Sequence, residues 1–342
     1  MTIMQSRRRF VSNVALAGAA GIGALGAVRS DGGKSFAAEP PPEITTIRIE
    51  KTPPTSCLAP QYMAEELLRA EGFTDISYEA SLTASATQKV ERGELDWATD
   101  YAPAVLADLE GGAPVTMVAG VHVGCFELVA HEHVRSIADL KGRTVGLDPG
   151  YATPRHLVSI MASYVGLNPG DDIHWVSDPS TDTMDLFVER KVDAFLAGAP
   201  QQQELRARGI GHTLVNSATD RPWSQYFCCM LIGRTEFVRK YPVATKRVVR
   251  AVLKGADLCV SEPERTARLL VDRGFTASYD YTLQALNELP YNVWRDYDPE
   301  DTVRWYALRL NEGGFTRSSP QDVIAKHTDW RFLKELRREL KT

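Results

Sequence analysis

The chain reads as an α/β protein of two related lobes, and three observations lead there. The first is a segment used twice. Glu91-Arg92, Leu95, Asp96, a short apolar run and Ala102-Pro103 return as Glu189-Arg190, Val192, Asp193, an apolar run and Ala199-Pro200, with the same Asp-to-Pro spacing in both copies. Each copy reads as a helix end, an Asp at the turn, a short buried strand and a Pro that stops pairing; a chance match of so short a join is the other reading. The second is size: 342 residues, 44% of them hydrophobic, hold two ordinary cores. The third is alternation of short apolar strands with amphipathic helices, which in an open sheet sends ligand-binding loops beyond the carboxyl ends of the strands.

From the amino terminus, Ser6-Arg7-Arg8-Arg9-Phe10-Val11-Ser12 precedes a weakly hydrophobic Ala/Gly-rich stretch and then Ser35-Phe36-Ala37, a small-x-small cleavage site. Residues 1–37 read as an export signal cleaved near Ala37, which places the mature protein in the periplasm. The arginine pair before Phe10 resembles the twin-arginine type, which moves folded proteins; an ordinary secretory leader is the alternative. Residues 38–44, with Pro40-Pro41-Pro42, form a stiff lead-in.

Residues 45–49 alternate as a strand and run into Thr52-Pro53-Pro54-Thr55-Ser56-Cys57, a loop of turn formers and hydroxyls. Pro60 opens an amphipathic helix over residues 60–69. A strand over 76–80 ends at Ser81-Leu82-Thr83-Ala84-Ser85, and a helix over 86–92 leads to the first repeat strand, which ends at Asp100-Tyr101. An apolar strand over 115–120 follows. The next lobe opens with a short helix closed by Gly142 and a strand ending at Asp148-Pro149-Gly150-Tyr151-Ala152-Thr153-Pro154. Thr153 suits an N-cap and Pro154 a first helical position, so free backbone N–H groups should face the cleft there. That helix runs to about residue 164, a strand follows near 173–176, and the second repeat ends at Gly198-Ala199-Pro200-Gln201. Arg221 to Tyr226 reads as the return crossover, and from Pro242 onward the pattern is helical, a tail that covers the first lobe. The expected division is 45–126 with 228–342 for lobe 1 and 127–227 for lobe 2, joined near 126–130 and 223–228.

Removing residues 1–37 takes away five basic residues and one acidic, moving the net charge from −5 to about −9. No Lys/Arg cluster interleaved with aromatics appears, so nucleic acid is not an expected partner. No apolar stretch reaches the roughly 18 residues of a membrane span. The five cysteines, Cys57, Cys125, Cys228, Cys229 and Cys259, show no C-x-x-C and no Cys/His zinc spacing. Cys228-Cys229 read as small buried hydrophobes rather than a redox or metal pair. His131-Glu132-His133 reads as a solvated turn, and no metal or cofactor is expected.

Ala59-Pro60-Gln61-Tyr62-Met63-Ala64, Gly93 to Asp96, Gly112 to Val115, Ile137 to Gly146 and Lys191 to Phe195, in this order behind an export leader, resemble the periplasmic solute-binding proteins of ABC importers. The branch most similar is that of the nitrate, taurine, aliphatic-sulfonate and thiamine-pyrimidine-precursor binders. The resemblance implies a class II two-lobed binding-protein fold, hinge closure on a small molecule, a monomer, and delivery to an ABC permease in the inner membrane. It also implies a binder rather than an enzyme. The thiamine-pyrimidine synthases that share the fold would require a His followed by a Cys-rich iron motif, where this chain has Phe227-Cys228-Cys229-Met230 without an adjacent His. A sensor ectodomain would need a fused signalling module.

The strand ends nominate Thr55, Ser56, Thr83, Asp100, Tyr101, Gly150, Tyr151, Thr153, Gly198 and Gln201 as ligand-binding positions. Each has a plainer role available: Ser and Thr as caps, Tyr101 as core, Gly150 as a turn, Asp100 as a helix cap. With Arg155 the only cation nearby, the expected ligand is a small hydrogen-bond donor with a flat apolar face, such as an amino-substituted heterocycle. Asp100 would accept from it and Tyr101 or Tyr151 would stack on it.

Overall fold

Asp96 and Asp193, the paired aspartates of the repeat, sit at equivalent junctions of two five-stranded sheets. The computed structural model describes residues 39–51, 56–80, 85–148 and 153–340; the export signal, Thr55, Thr83, Gly150 and Tyr151 lie outside these described residues. The strands are β1 (Thr46–Lys51), β2 (Asp75–Ala80), β3 (Trp97–Tyr101), β4 (Val115–His122), β5 (Phe126–Ala130), β6 (Arg143–Gly146), β7 (Ile173–Val176), β8 (Ala194–Gly198), β9 (His212–Asn216) and β10 (Cys229–Arg234). Sheet order is β2-β1-β3-β10-β4 in one and β7-β6-β8-β5-β9 in the other.

The two orders are one plan used twice. β1 pairs in parallel with β2 and β3, and β6 in parallel with β7 and β8. The fourth strand of each sheet, β10 or β5, runs antiparallel to both neighbours. It is also the strand that enters from the other sheet, so the chain crosses at residues 123–125 and again at 217–228. Residues 126–130, expected to be a joint, are β5 itself, paired with β8 from Phe126↔Gly198 to Ala130↔Ala194. An alternating apolar run bonded along its whole length cannot also flex, which moves the first crossing to Val123-Gly124-Cys125.

In each copy of the repeat the Asp locks its strand to the preceding parallel one. Asp96 N–H donates to Arg48 O at 2.9 Å while its Oδ2 accepts from Arg48 N at 3.0 Å. Asp193 N–H donates to Thr144 O at 2.9 Å while its Oδ2 accepts from Thr144 N and Thr144 Oγ1, both at 2.8 Å. A short acceptor at the first position of a strand satisfies a donor the ladder has not yet reached.

The helices are α1 (Ala59–Ala70), α2 (Ala86–Glu91), α3 (Ala102–Leu109), α4 (Thr153–Tyr164), α5 (Thr183–Val188), α6 (Gln201–Arg208), α7 (Thr235–Lys240), α8 (Pro242–Ser261), α9 (Pro263–Asp272), α10 (Tyr279–Glu288), α11 (Pro299–Glu312), α12 (Pro320–His327) and α13 (Arg331–Glu339). Pro lies in the first turn of α1, α3, α8, α9, α11 and α12, where its missing N–H costs nothing. The stripe Val248, Val249, Val252, Leu253, Ala256 and Cys259 of α8 is buried, as its helical spacing predicts. α7, α8, α12 and α13 pack on β4 of the first sheet, so the helical tail covers that sheet. No described helix is long and apolar enough to cross a membrane.

Candidate functional site

The carboxyl ends of β3 and β8 meet the loop before α1 at one place. Ser56 N–H donates to Ala199 O at 3.2 Å, and the Ser56 carbonyl accepts from the Tyr291 hydroxyl at 2.8 Å. Phe126 at the start of β5 packs edge-on to Tyr101 with ring centroids 5.4 Å apart. A Cβ built on Gly198 would lie 3.6 Å from the same Phe126 ring. Tyr101 and Gly198, two residues nominated from sequence, thus flank one aromatic side chain that sequence reasoning passed over, and Ser56 is tied to Ala199, the residue after Gly198. Phe126 begins a plain apolar strand, and no local signal marks it.

Thr153 opens α4, whose first turn also carries His156. Burial holds the His156 imidazole below its ordinary pKa, with Asp108 of α3 acting against that. Asp108 in turn accepts from Ser85 Oγ, the N-cap of α2, at 2.6 Å. The amino ends of α2 and α4 therefore share a neighbourhood across the two sheets. The hydroxyls of Ser56 and Thr153 are buried without a hydrogen-bond partner among the described residues, and the buried Tyr101 hydroxyl meets that of Tyr306. Buried hydroxyls rarely stay unpartnered without a function.

The two remaining nominated groups are engaged locally. Gln201 Oε1 accepts from Gly198 N–H at 3.3 Å, closing the turn between β8 and α6. Asp100 Oδ1 accepts from Tyr101 N–H at 2.7 Å, and its Oδ2 from Thr87 N–H at 3.3 Å and Thr87 Oγ1 at 3.0 Å. Asp100 so caps α2, the helix before its strand rather than the one after it. Burial raises its pKa, those hydrogen bonds oppose the rise, and the Asp108 charge adds to it. Tyr101, expected to offer a stacking face, is enclosed by Phe126 and Tyr306 and only 3% exposed, so its ring face is not open to a ligand.

Asp148, at the end of the strand region of β6, was not nominated. It is half-buried, and burial lifts its carboxyl above the ordinary value, with the Thr183 hydroxyl acting against that and Asp182 adding to it. Among the described residues neither Asp100 nor Asp148 has an ion-pair partner. Arg155 turns away: its guanidinium lies over the Trp175 ring at 5.6 Å, on an exposed face.

An aromatic seam backs the site. Tyr306 touches Tyr101 and Tyr226, Tyr226 stacks on Trp305 at 4.4 Å, Trp305 meets Trp223, and Trp223 meets Tyr164 of α4. The seam ties the second crossing to α11 on one side and α4 on the other.

One expectation about histidine needs correction. His131 is not solvated: its ring stacks on Phe187 at 4.1 Å and its Nε2 lies 2.9 Å from Phe187 O. His133 does face outward, bonded to Asp193 at 2.7 Å. Strand pairing also brings the donor atoms of His122, Cys125 and Cys229 within 4.8 Å of one another. More than a hundred residues separate Cys125 from Cys229, so sequence spacing could not show it.

Comparison with known proteins gives a family and a fold. The family model described as NMT1/THI5 like matches residues 71–266. A Brucella abortus protein named only as a candidate binding protein is 24% identical over 180 residues, 52% of this chain. The chain spans about half the length of the curated relatives it matches, 55% in that case. Among solved structures, the periplasmic nitrate-binding protein NrtA from Synechocystis PCC 6803 superposes with TM-score 0.73 at 15% identity, covering 88% of this chain and 90% of that one. The alkanesulfonate-binding protein SsuA from Xanthomonas axonopodis pv. citri, bound to MOPS, gives TM-score 0.66 at 16% identity over 86% of this chain and all of that one. The fold is that of the two-lobed periplasmic binding proteins.

Proposed function

Given that the chain belongs to the NMT1/THI5-like family, we propose that it is the extracytoplasmic solute-binding component of an ABC importer. It closes two lobes, residues 45–125 with 229–342 and residues 126–216, on a small molecule and presents it to a permease. It works as a monomer and has no catalytic role. The hinges are the crossings at 123–125 and 217–228, and residues 1–37 are a twin-arginine-type export signal.

The observation that carries this reading is the pair of buried hydroxyls of Ser56 and Thr153 without a partner among the described residues, together with the Tyr101 hydroxyl, which meets that of Tyr306. Such groups await a polar ligand. With Thr55, Thr83, Gly150, Tyr151, Gly198 and Gln201 they form the proposed pocket. The ligand class follows from charge. Among the described residues Asp100 and Asp148 have no cation partner, and Arg155 lies over Trp175. An anion beside either carboxyl would be buried without compensation. The fitting ligand donates hydrogen bonds, as an amino-substituted heterocycle does, with Asp148 the principal acceptor and Asp100 holding the α2 amino end in place.

A thermal-shift screen followed by calorimetry tests this. At a hundredfold excess over Kd, a true ligand stabilises by about 2.7 kcal/mol. An amino-substituted pyrimidine should raise the melting temperature, nitrate and alkanesulfonates should not, and Asp148→Asn should weaken binding. Because burial raises the Asp148 carboxyl pKa, the accepting form fills as pH rises, so affinity for a protonated amine should grow above the ordinary carboxylate range. Tight nitrate or sulfonate binding would overturn the ligand class and leave the binding-protein reading standing.

A further inference from the structure

The two crossings between the sheets meet at their first-sheet end in a knot of cysteine and histidine beside the hydroxyls described above: Cys229 pairs with Tyr101 in the sheet, and Cys57, next to Ser56, lies with its Sγ 4.0 Å from Cys125 O. His122 ends β4, Cys125 ends the first crossing, and Cys229 begins β10. The backbone pairs Cys229 with His122 and bonds Cys228 N–H to His122 O at 2.9 Å. Cys125 Sγ lies 3.3 Å from Cys229 Sγ and 3.9 Å from His122 Nε2. All three side chains are essentially sealed from solvent.

We propose that His122 Nε2, Cys125 Sγ and Cys229 Sγ bind one divalent, thiophilic, closed-shell cation of the Zn²⁺ class. Zinc–sulfur bonds of about 2.3 Å and zinc–nitrogen bonds of about 2.0–2.1 Å in a tetrahedron set S–S and S–N edges of about 3.5–3.8 Å. The S–S separation of 3.3 Å is shorter than its edge and the S–N separation of 3.9 Å longer than its edge, so binding requires the side chains to shift by a few tenths of an ångström. The imidazole is oriented for the task. His122 Nδ1 lies 3.1 Å from the Val123 carbonyl, which holds the proton on Nδ1 and leaves the Nε2 lone pair for a ligand. A disulfide between the two thiols would have no use for that nitrogen. The turn that delivers Cys125 is built tightly: Gly124 has φ +78°, and a Cβ there would lie 2.3 Å from Ala218 Cβ.

Charge and protons balance. Binding releases one proton from each of two thiols, and two thiolates, a neutral imidazole and a divalent cation sum to zero, which a sealed site requires. The cation itself supplies what ionises the sulfurs. Bound there, it would pin both crossings to the first sheet and fix where bending begins. Loading takes place before the strands close.

The test uses the full mature chain, expressed with zinc and purified without chelator. Elemental analysis should find one equivalent of zinc, and refolding with Co²⁺ should give thiolate-to-cobalt charge-transfer absorption. Cys229→Ser and Cys125→Ser should weaken Zn²⁺ retention in chelator competition by roughly 100-fold or more. Cys259→Ser, buried in α8, should leave it unchanged. The cobalt spectrum of the unmodified chain keeps the test decisive should a variant fail to fold. Absence of zinc and of a cobalt–thiolate band, uptake of Cu⁺ alone, or a Cys125–Cys229 disulfide whose reduced form takes no zinc would each overturn the proposal.

Discussion

At the scale of single residues, the repeat carries its own mechanics. Burial pushes the Asp193 carboxyl up, but hydrogen bonds accepted from Thr144 and from His133 together pull it below its ordinary value. A folded pKa below the unfolded one stabilises above the unfolded value, near 3.9, and that stabilisation fades as pH falls through the folded value. Asp193→Ala should therefore destabilise by about 1–3 kcal/mol near pH 7. The gap in melting temperature from the parent should shrink below roughly pH 4; a gap unchanged at pH 3 would mean the carboxylate charge is irrelevant. Asp193 was legible because its repeat partner Asp96 marks the same spacing. Phe126, Asp148 and the His122–Cys125–Cys229 set were not, since each acquires meaning only from partners brought in by the sheets.

Among elements, strands and capped helices read well from alternation, Pro and turn residues, and the misplaced joint at 126–130 shows the limit. An apolar pentapeptide looks alike as a buried strand and as a connection until its partner is known. Gly255 is a second case. Within α8 it looks like a helix-weakening accident, yet a Cβ there would lie 2.2 Å from Pro60 O of α1. The glycine is what lets α8 settle against the first turn of α1. Gly255→Ala should lower stability by about 1–3 kcal/mol through overpacking, despite the better helix propensity of Ala. Denaturant unfolding would measure it, and a gain in stability would show that α1 moves aside freely.

For the whole molecule, Arg206 is the link to watch. It bonds Glu127, which also accepts from Thr213 Oγ1 at 2.6 Å and Asn216 Nδ2 at 3.1 Å, and it reaches Glu288 of α10 at 2.5 Å, where Gln203 adds a bond of 2.9 Å. Glu127 belongs to β5 of the second sheet, whereas α10 packs on α8 and α9, so the pair spans the two halves. Being half-exposed, it should contribute at most about 1 kcal/mol. Glu288→Ala should enlarge the radius of gyration of the unliganded protein by solution scattering and leave the secondary structure intact; an identical profile would remove the bridge from any account of closure. Finally, the antiparallel fourth strands set an order of assembly. The second sheet is drawn wholly from residues 126–216 and can be completed while synthesis continues. The first must wait with a gap between β3 and β4 until β10 emerges more than a hundred residues later. An emerging chain should thus acquire protease resistance in its middle before its beginning.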